Sequence, residues 1–461
     1  MFFCIFESFA NGLLTRSHYL KYINMTNKTL DRKTPPAFGT VDKIEMIKAS
    51  EQYLRNKIPV YSINAGTQEL IKIEFLFSAG MYQQSMPLQA ASVNSMLEEG
   101  TSTLTAAEIA DKVDYYGAFL ETGLTQDTAS VVLYTLNKQL ETTLPIVEQV
   151  IKDAVFPQQE LDTYIRNRKQ KFHVNNQKVE NLARKYFSEL LFGSKHPYGI
   201  NVQELDFDNI RRNHLSDFYV RFYRADNCKI ILSGKVDNKV LDMLDSHFGG
   251  NDWLNKDNLS NSDLLKGRKN LEINSATERT HIVQKDDALQ SAIRIGKVLF
   301  NKTHPDFQPF QVLNTILGGY FGSRLMSNIR EDKGYTYGIG SGLVSLQNSG
   351  YFFISTEVGV EVCSNAINEI YFEMNRLCEK LVEDDELQLV KNYLLGRFLR
   401  SVDGPFAMGE RFKGIMEYDL GYDYFDKYIA TIKHISASEL RELANRYLDK
   451  NSMIELVVGK K

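Results

Sequence analysis

The sequence predicts an α+β protein of two duplicated halves, each with mixed sheets covered by helices. Three observations carry that expectation. Residues 71–77 read I-K-I-E-F-L-F, the alternation of a half-buried strand, and residues 293–300 read I-R-I-G-K-V-L-F, 222 positions later. Residues 228–235, C-K-I-I-L-S-G-K, return at 453–460 as M-I-E-L-V-V-G-K, at an offset of 225. Each strand of the second pair follows a helix pattern closed by aromatics or Tyr-Leu, at 218–223 and 440–448. Similar offsets with the same order of elements predict a duplication.

In chain order, residues 1–24 hold an apolar stretch broken by Glu7 and Arg16, without the basic start and unbroken apolar run of a signal peptide. Met25 opens a polar segment and looks a more natural start, so residues 1–40 are expected to be a poorly ordered extension. The first half then covers 41–250. Within it, Thr105-Ala-Ala-Glu108 is a capping box, Ile109, Val113 and Tyr116 share one helix face, and Gly117 is the stop. Residues 129–134 are β-rich. Residues 251–263, rich in Asn, Asp and Ser with no apolar period, read as a connector, and the linker is set at 251–282. The second half, 283–461, contains a β-rich run at 351–356 and a helical stripe through Ile367, Ile370, Tyr371, Met374, Leu377 and Leu381. Ser436-Ala-Ser-Glu439 repeats the capping box ahead of Leu440, Leu443, Ala444 and Tyr447.

Composition removes several function classes. With 43% apolar and 24% charged residues the chain is neither disordered nor low-complexity. Its 54 Lys and Arg against 58 Asp and Glu give a net charge of -4, which leaves no footprint for nucleic acid. No run of 18 apolar residues predicts a membrane helix. Cys4, Cys228, Cys363 and Cys378 are too sparse for a disulfide framework, so free thiols and a cytoplasmic setting are expected.

Metal and nucleotide motifs are missing. No two of the eight histidines stand within four positions, so no H-E-x-x-H or related helix can present two imidazoles to one ion. G-x-S-x-G, G-x-x-x-x-G-K-[ST] and G-x-G-x-x-G do not occur. His196 and His304 each precede a proline and are read as structural.

Residues 317–341, L-G-G-Y-F-G-S-R-L-M-S-N-I-R-E-D-K-G-Y-T-Y-G-I-G-S, interleave glycines and aromatics with charges. This segment resembles the C-terminal half of the insulinase, pitrilysin and mitochondrial processing peptidase family, the inverzincins. There Gly-Gly before an aromatic and Ser-Arg-Leu marks a helix, followed by an Ile-Arg-Glu segment and a Gly-x-x-Tyr turn. The resemblance runs from about residue 50 to 460, and it implies that family's duplicated metallohydrolase fold.

The family's first half carries H-x-x-E-H on a helix ahead of Met-Leu and Gly-Thr. Here Met96-Leu97 and Gly100-Thr101 set the register, so the two His positions are Ala91 and Ser95 and the Glu position is Asn94. Ala91 has no donor, Ser95 only a neutral hydroxyl, and Asn94 cannot act as general base. The third ligand of the family would fall near Lys171 and Phe172, where the nearest carboxylates are Asp162 and Glu180. Glu98 and Glu99 read as a solvated helix end. No metal is therefore expected in this chain.

The second half keeps other equipment. In the family an Arg and a Tyr seven positions apart hold the substrate carbonyl and its oxyanion; Arg330 and Tyr337 match them. A surface pairing of Arg330 with Glu331 or Asp332 is the plainer alternative. Tyr335 reads as packing, and Gly334, Gly338 and Gly340 as permitting sharp turns.

The resemblance implies the zinc-free subunit of a heterodimer, paired with a homologous H-x-x-E-H chain that holds zinc. Its substrate would be an unfolded peptide added to a sheet edge, although residues 121–125 differ from the family's Asn-Ala-x-Thr strand. The alternative is a non-enzymatic structural or interaction protein that keeps the fold. An autonomous peptidase with unorthodox ligands is disfavoured by the missing donors.

Overall fold

The computed structural model describes residues 44–253 and 271–461; the expected extension, Cys4, His18 and most of the connector lie outside the described residues. The first sheet comprises β1 (Ser50–Tyr53), β2 (Pro59–Asn64), β3 (Leu70–Phe77), β4 (Phe119–Leu124), β5 (Ala129–Leu136) and β6 (Cys228–Gly234), in the order β1-β2-β6-β3-β5-β4. The second comprises β7 (Thr280–Gln284), β8 (Gln290–Leu299), β9 (Ile339–Leu346), β10 (Ser349–Gly359) and β11 (Ile454–Gly459), in the order β7-β11-β8-β10-β9. Without β1 the two orders are the same. Each sheet has one late strand that enters antiparallel to one neighbour and parallel to another: β6 between β3 and β2, β11 between β8 and β7.

The fold is thus α+β and duplicated. The strand register refines the repeat. Ile73 pairs with Leu232 and Ile295 with Glu455, so an offset of 222 in the first strand goes with 223 in the second, not 225. A slip of two is one strand period, so it leaves the same faces inward.

Helices of the first half are α1 (Gln89–Met96), α2 (Ala106–Tyr115), α3 (Leu140–Lys152), α4 (Gln158–Asn176), α5 (Val179–Phe192), α6 (Glu204–Asn209), α7 (Arg212–Phe222) and α8 (Asn238–Phe248). Those of the second are α9 (Phe307–Asn314), α10 (Cys363–Glu379), α11 (Asp384–Arg400), α12 (Gly404–Met416), α13 (Asp423–His434) and α14 (Ala437–Tyr447). Both capping boxes form, Thr105 with Glu108 and Ser436 with Glu439, each satisfying backbone donors that a helix start leaves open. Cys228, Cys363 and Cys378 are free thiols. Trp253, inside the expected connector, is buried in the first core and donates from its indole to the Tyr223 carbonyl at 3.0 Å. The second sheet begins at Thr280, before the expected boundary at 283.

Each half lends a helix to the other half's sheet. Helix α5 lays Ala183, Phe187, Leu191 and Phe192 against Ala292, Leu456 and Val458 of the second sheet. In return, α12 packs on β2 and β6, with Phe412 5.0 Å from the Tyr61 ring. This exchange corrects the expectation of a half-buried β3. Residues 71–77 are buried on both faces, because α12 covers the side on which Lys72 and Glu74 stand. Burying those charges requires partners. Glu74 accepts from Lys72 at 2.8 Å and from Lys413 at 2.7 Å, and Glu410 bridges the same two lysines.

Candidate functional site

Helix α1 carries the positions that would hold a metal in the resembled family. Asn94 is buried, and its amide donates to the Tyr223 hydroxyl at 3.2 Å and the Ser130 carbonyl at 3.4 Å. That nitrogen is a donor in use, the reverse of a base. Ala91 is half-buried and Ser95 exposed. These residues do not fit a zinc ion. Among the described residues no group of three His, Cys, Asp or Glu side chains converges as a metal site.

Glu98 corrects the sequence reading. It is half-buried, not a solvated helix end, and burial, with Glu99 and Glu121 beside it, pushes its carboxyl up to about 7. Glu99 is raised too, by burial and then by Glu160. The carboxylates meet because β4 and α4 bring Glu121 and Glu160 to the end of α1, which local spacing does not show. The two His-Pro turns are as expected. His196 Nδ1 accepts the Tyr198 N–H at 3.2 Å and the ring stacks on Phe192; His304 Nδ1 accepts the Asp306 N–H at 3.1 Å and stacks on Phe300.

The glycine-rich segment of the second half is assembled around two π-helical turns. Helix α9 runs straight into the first, Thr315–Gly319, which lies against β9. Gly318 allows this approach: a Cβ there would stand 2.7 Å from the Ser341 backbone nitrogen. After half-buried Tyr320 and exposed Phe321 and Gly322, Ser323-Arg324-Leu325 leads into the second turn, Met326–Asp332. It is fixed from behind. Arg324 makes a two-pronged pair with Glu386 at 2.9 and 2.7 Å, and Asn328 donates to Glu373 at 2.8 Å.

Arg330 projects from this turn. Gly334, at φ +67°, reverses the chain, and the Tyr335 N–H returns to the Ile329 carbonyl at 3.0 Å. Gly338 and Gly340 do not share that left-handed conformation, so of the three glycines only Gly334 is demanded by its dihedral. Thr336 is docked on β10 through the Glu357 carbonyl at 2.6 Å, and its hydroxyl accepts the Gly338 N–H at 3.1 Å. Between these two anchored residues, Tyr337 is 93% exposed.

Arg330 and Tyr337 are brought together: the guanidinium carbon lies 5.4 Å from the Tyr337 ring centroid and 4.7 Å from that of exposed Phe321. Asp332 is taken by Lys333 at 2.9 Å. Among the described residues Arg330 has no ion pair and neither Arg330 nor Tyr337 a hydrogen bond, so the plain pairing with Glu331 or Asp332 does not form. The arrangement presents a fixed cation and a phenol, both with unused donors, on one exposed ledge. Sequence reading left out Phe321; a large aromatic between Gly319 and Gly322 was its only signal.

The two α+β halves thus share one strand order apart from β1, with Ala91, Asn94 and Ser95 on α1 in the first and the Arg330–Tyr337 ledge in the second. Comparison with known proteins finds chains similar to this one. The profile described as "Peptidase M16 inactive domain" matches residues 209–394. An uncharacterized zinc protease of Mycobacterium leprae is 22% identical over 365 residues, covering 77% of this chain and 79% of its own. The crystal structure of a peptidase M16 inactive domain from Pseudomonas fluorescens superposes with a TM-score of 0.76 at 20% identity, over 90% of this chain and 98% of that one. A protease from Helicobacter pylori superposes with 0.79 at 17% identity, over 90% and 100%. Residues 209–394 are thus similar in sequence to the peptidase M16 inactive domain, and the chain shares the fold of those two solved structures. Among the described residues no helix is long and apolar enough to cross a membrane.

Proposed function

We propose that the chain is the zinc-free subunit of a heterodimeric, cytoplasmic metallopeptidase. It supplies Arg330 and Tyr337 to a partner chain whose H-x-x-E-H motif holds zinc and provides the general base. The observation that carries this reading is the Arg330–Tyr337 pair, held 5.4 Å apart with neither side chain committed to an internal partner. Zinc in the partner would polarise the scissile carbonyl. The chain's own task is to hold that carbonyl through the Arg330 fork and the Tyr337 hydroxyl, donors aimed at charge that grows in the transition state. Emptied metal positions at Ala91, Asn94 and Ser95 fit a chain that leaves the hydrolytic chemistry to its partner. The substrate is an unfolded peptide, and β4, an edge strand, gives it a place to pair.

The test is hydrolysis of an unfolded protein by the assembled pair. Tyr337→Phe or Arg330→Ala is expected to lower kcat by roughly 10²–10³-fold, the cost of one oxyanion donor, with assembly intact by gel filtration. Unchanged hydrolysis in both variants sinks the subunit reading and leaves a protein of assembly alone.

A further inference from the structure

Strand β8 carries a buried charge that the fold flanks with aromatic rings and gives no hydrogen bond or ion pair among the described residues. Arg294 is 7% exposed, its guanidinium set between the Phe187 and Phe353 rings at 6.0 and 5.6 Å. The duplication supplies an internal control, because Arg294 stands 222 positions after Lys72. Both face a helix lent by the other half. Lys72 is neutralised by Glu74 and Glu410. At the position of Glu74 the second half has Gly296. The charge has been kept and its carboxylate dropped.

The space beside it is open. A cleft of about 400 Å³ lies between the start of α5 and strands β8 and β10, with Arg294, Ser355 and Thr356 in its lining and Tyr337 at its rim. Glu180 and Glu357 also line it. Glu180 acts on Arg294 through space but is paired with Arg184 at 2.8 Å, and Glu357 is pushed up by burial and by Glu180; neither forms an ion pair with the Arg294 guanidinium. A buried guanidinium cannot shed its proton, so its unused N–H donors are met only by an acceptor from outside. Its planar fork matches a carboxylate, whereas the acidic neighbours oppose a more highly charged phosphate.

We propose that this cleft is a carboxylate-binding subsite, in which Arg294 receives an acidic side chain or the C-terminal carboxylate of the peptide lying at Tyr337. The inference rests on the reading of Arg330 and Tyr337 as a peptide site for the identity of its ligand.

Binding to the full chain, without any partner, tests it. Three unstructured decapeptides share one sequence: one with an internal Glu and an amidated end, one with Gln and a free C-terminal carboxylate, one with Gln and an amidated end. One of the acidic peptides is expected to bind about tenfold more tightly than the neutral one, the worth of one charge-assisted contact, and which of them does so identifies the source of the carboxylate. Arg294→Met, which keeps volume between the two rings, erases the preference while the neutral peptide binds as before. Arg294→Lys, repeating the Lys72 side chain, keeps the charge but loses the fork and lowers the preference severalfold. Equal binding of all three peptides by the native chain overturns the proposal, as does a preference that survives in both variants or the absence of any acidic-peptide binding. Failure here is separable from failure of the subunit reading. The latter is read from hydrolysis by the assembled pair on changing Arg330 or Tyr337, and a carboxylate preference that persists when those changes are silent leaves the cleft standing.

Discussion

Glu98 shows how much a single side chain's behaviour depends on neighbours remote in sequence. Burial chiefly, and Glu99 and Glu121 to a lesser degree, push its carboxyl up to about 7 in the folded chain, from 4.5 for an unperturbed glutamate. Between those values the folded chain holds a proton that the unfolded chain has released. Stability therefore falls as pH rises from about 4.5 to about 7 and then levels off. Glu98→Gln removes that loss. The variant is expected to match the native chain near pH 4 and to exceed it near pH 8 by on the order of 1–3 kcal/mol, read as the difference between thermal unfolding curves. A gain that does not grow with pH would place this carboxylate in water. Spacing along α1 puts Glu98 at a helix end, and helix ends are usually wet; only the arrival of β4 and α4 changes its medium. The approach of Arg330 to Tyr337 was legible for the opposite reason: their spacing is local, set by seven residues and one turn.

Among the elements, those specified by their own residues were legible and those specified by partners were not. The capping boxes at Thr105 and Ser436 are complete within four residues, and they form where the pattern places them. The repeated strands were visible as alternation, but alternation cannot say that a helix from the far half covers the polar face of β3. Nor does any short-range signal foretell the π-helical turns, which depend on the fit of Gly318 against β9. Gly334 is the element-level prediction. Its φ of +67° costs an L side chain about 1–2 kcal/mol, so Gly334→Ala should lower stability by that amount and disturb the spacing of Tyr337 from Arg330. Gly334→Asn should be tolerated better, since a short polar side chain visits this conformation more readily. Gly338→Ala, with open space at its Cβ and no left-handed φ, serves as the silent control in the same chemical denaturation series.

At the scale of the molecule, the exchanged helices make each half a condition for the other. The first sheet's outer face is closed by α12, and the seam is a buried ionic network: Glu74 between Lys72 and Lys413, with Glu410 across both lysines. Burial alone would lower the Lys72 and Lys413 ammonium groups, but Glu74 and Glu410 outweigh it and hold both above the ordinary lysine range. Glu74→Gln takes away the central carboxylate and leaves two cations sharing Glu410, a change worth about 3–5 kcal/mol when a buried pair is broken. The loss falls on the seam between halves, so cooperativity should suffer along with stability. Trp253 is the only tryptophan in the chain and sits in the first core, whereas helices of both halves contribute to far-ultraviolet dichroism. In the native chain the two probes should trace one transition in urea. In Glu74→Gln the Trp253 signal should move to lower urea and separate from the dichroism curve, as the first half opens while the second persists. Coincident curves at an unchanged midpoint would mean that apolar packing of Phe412 on Tyr61 and its neighbours holds the halves together without help from the charges.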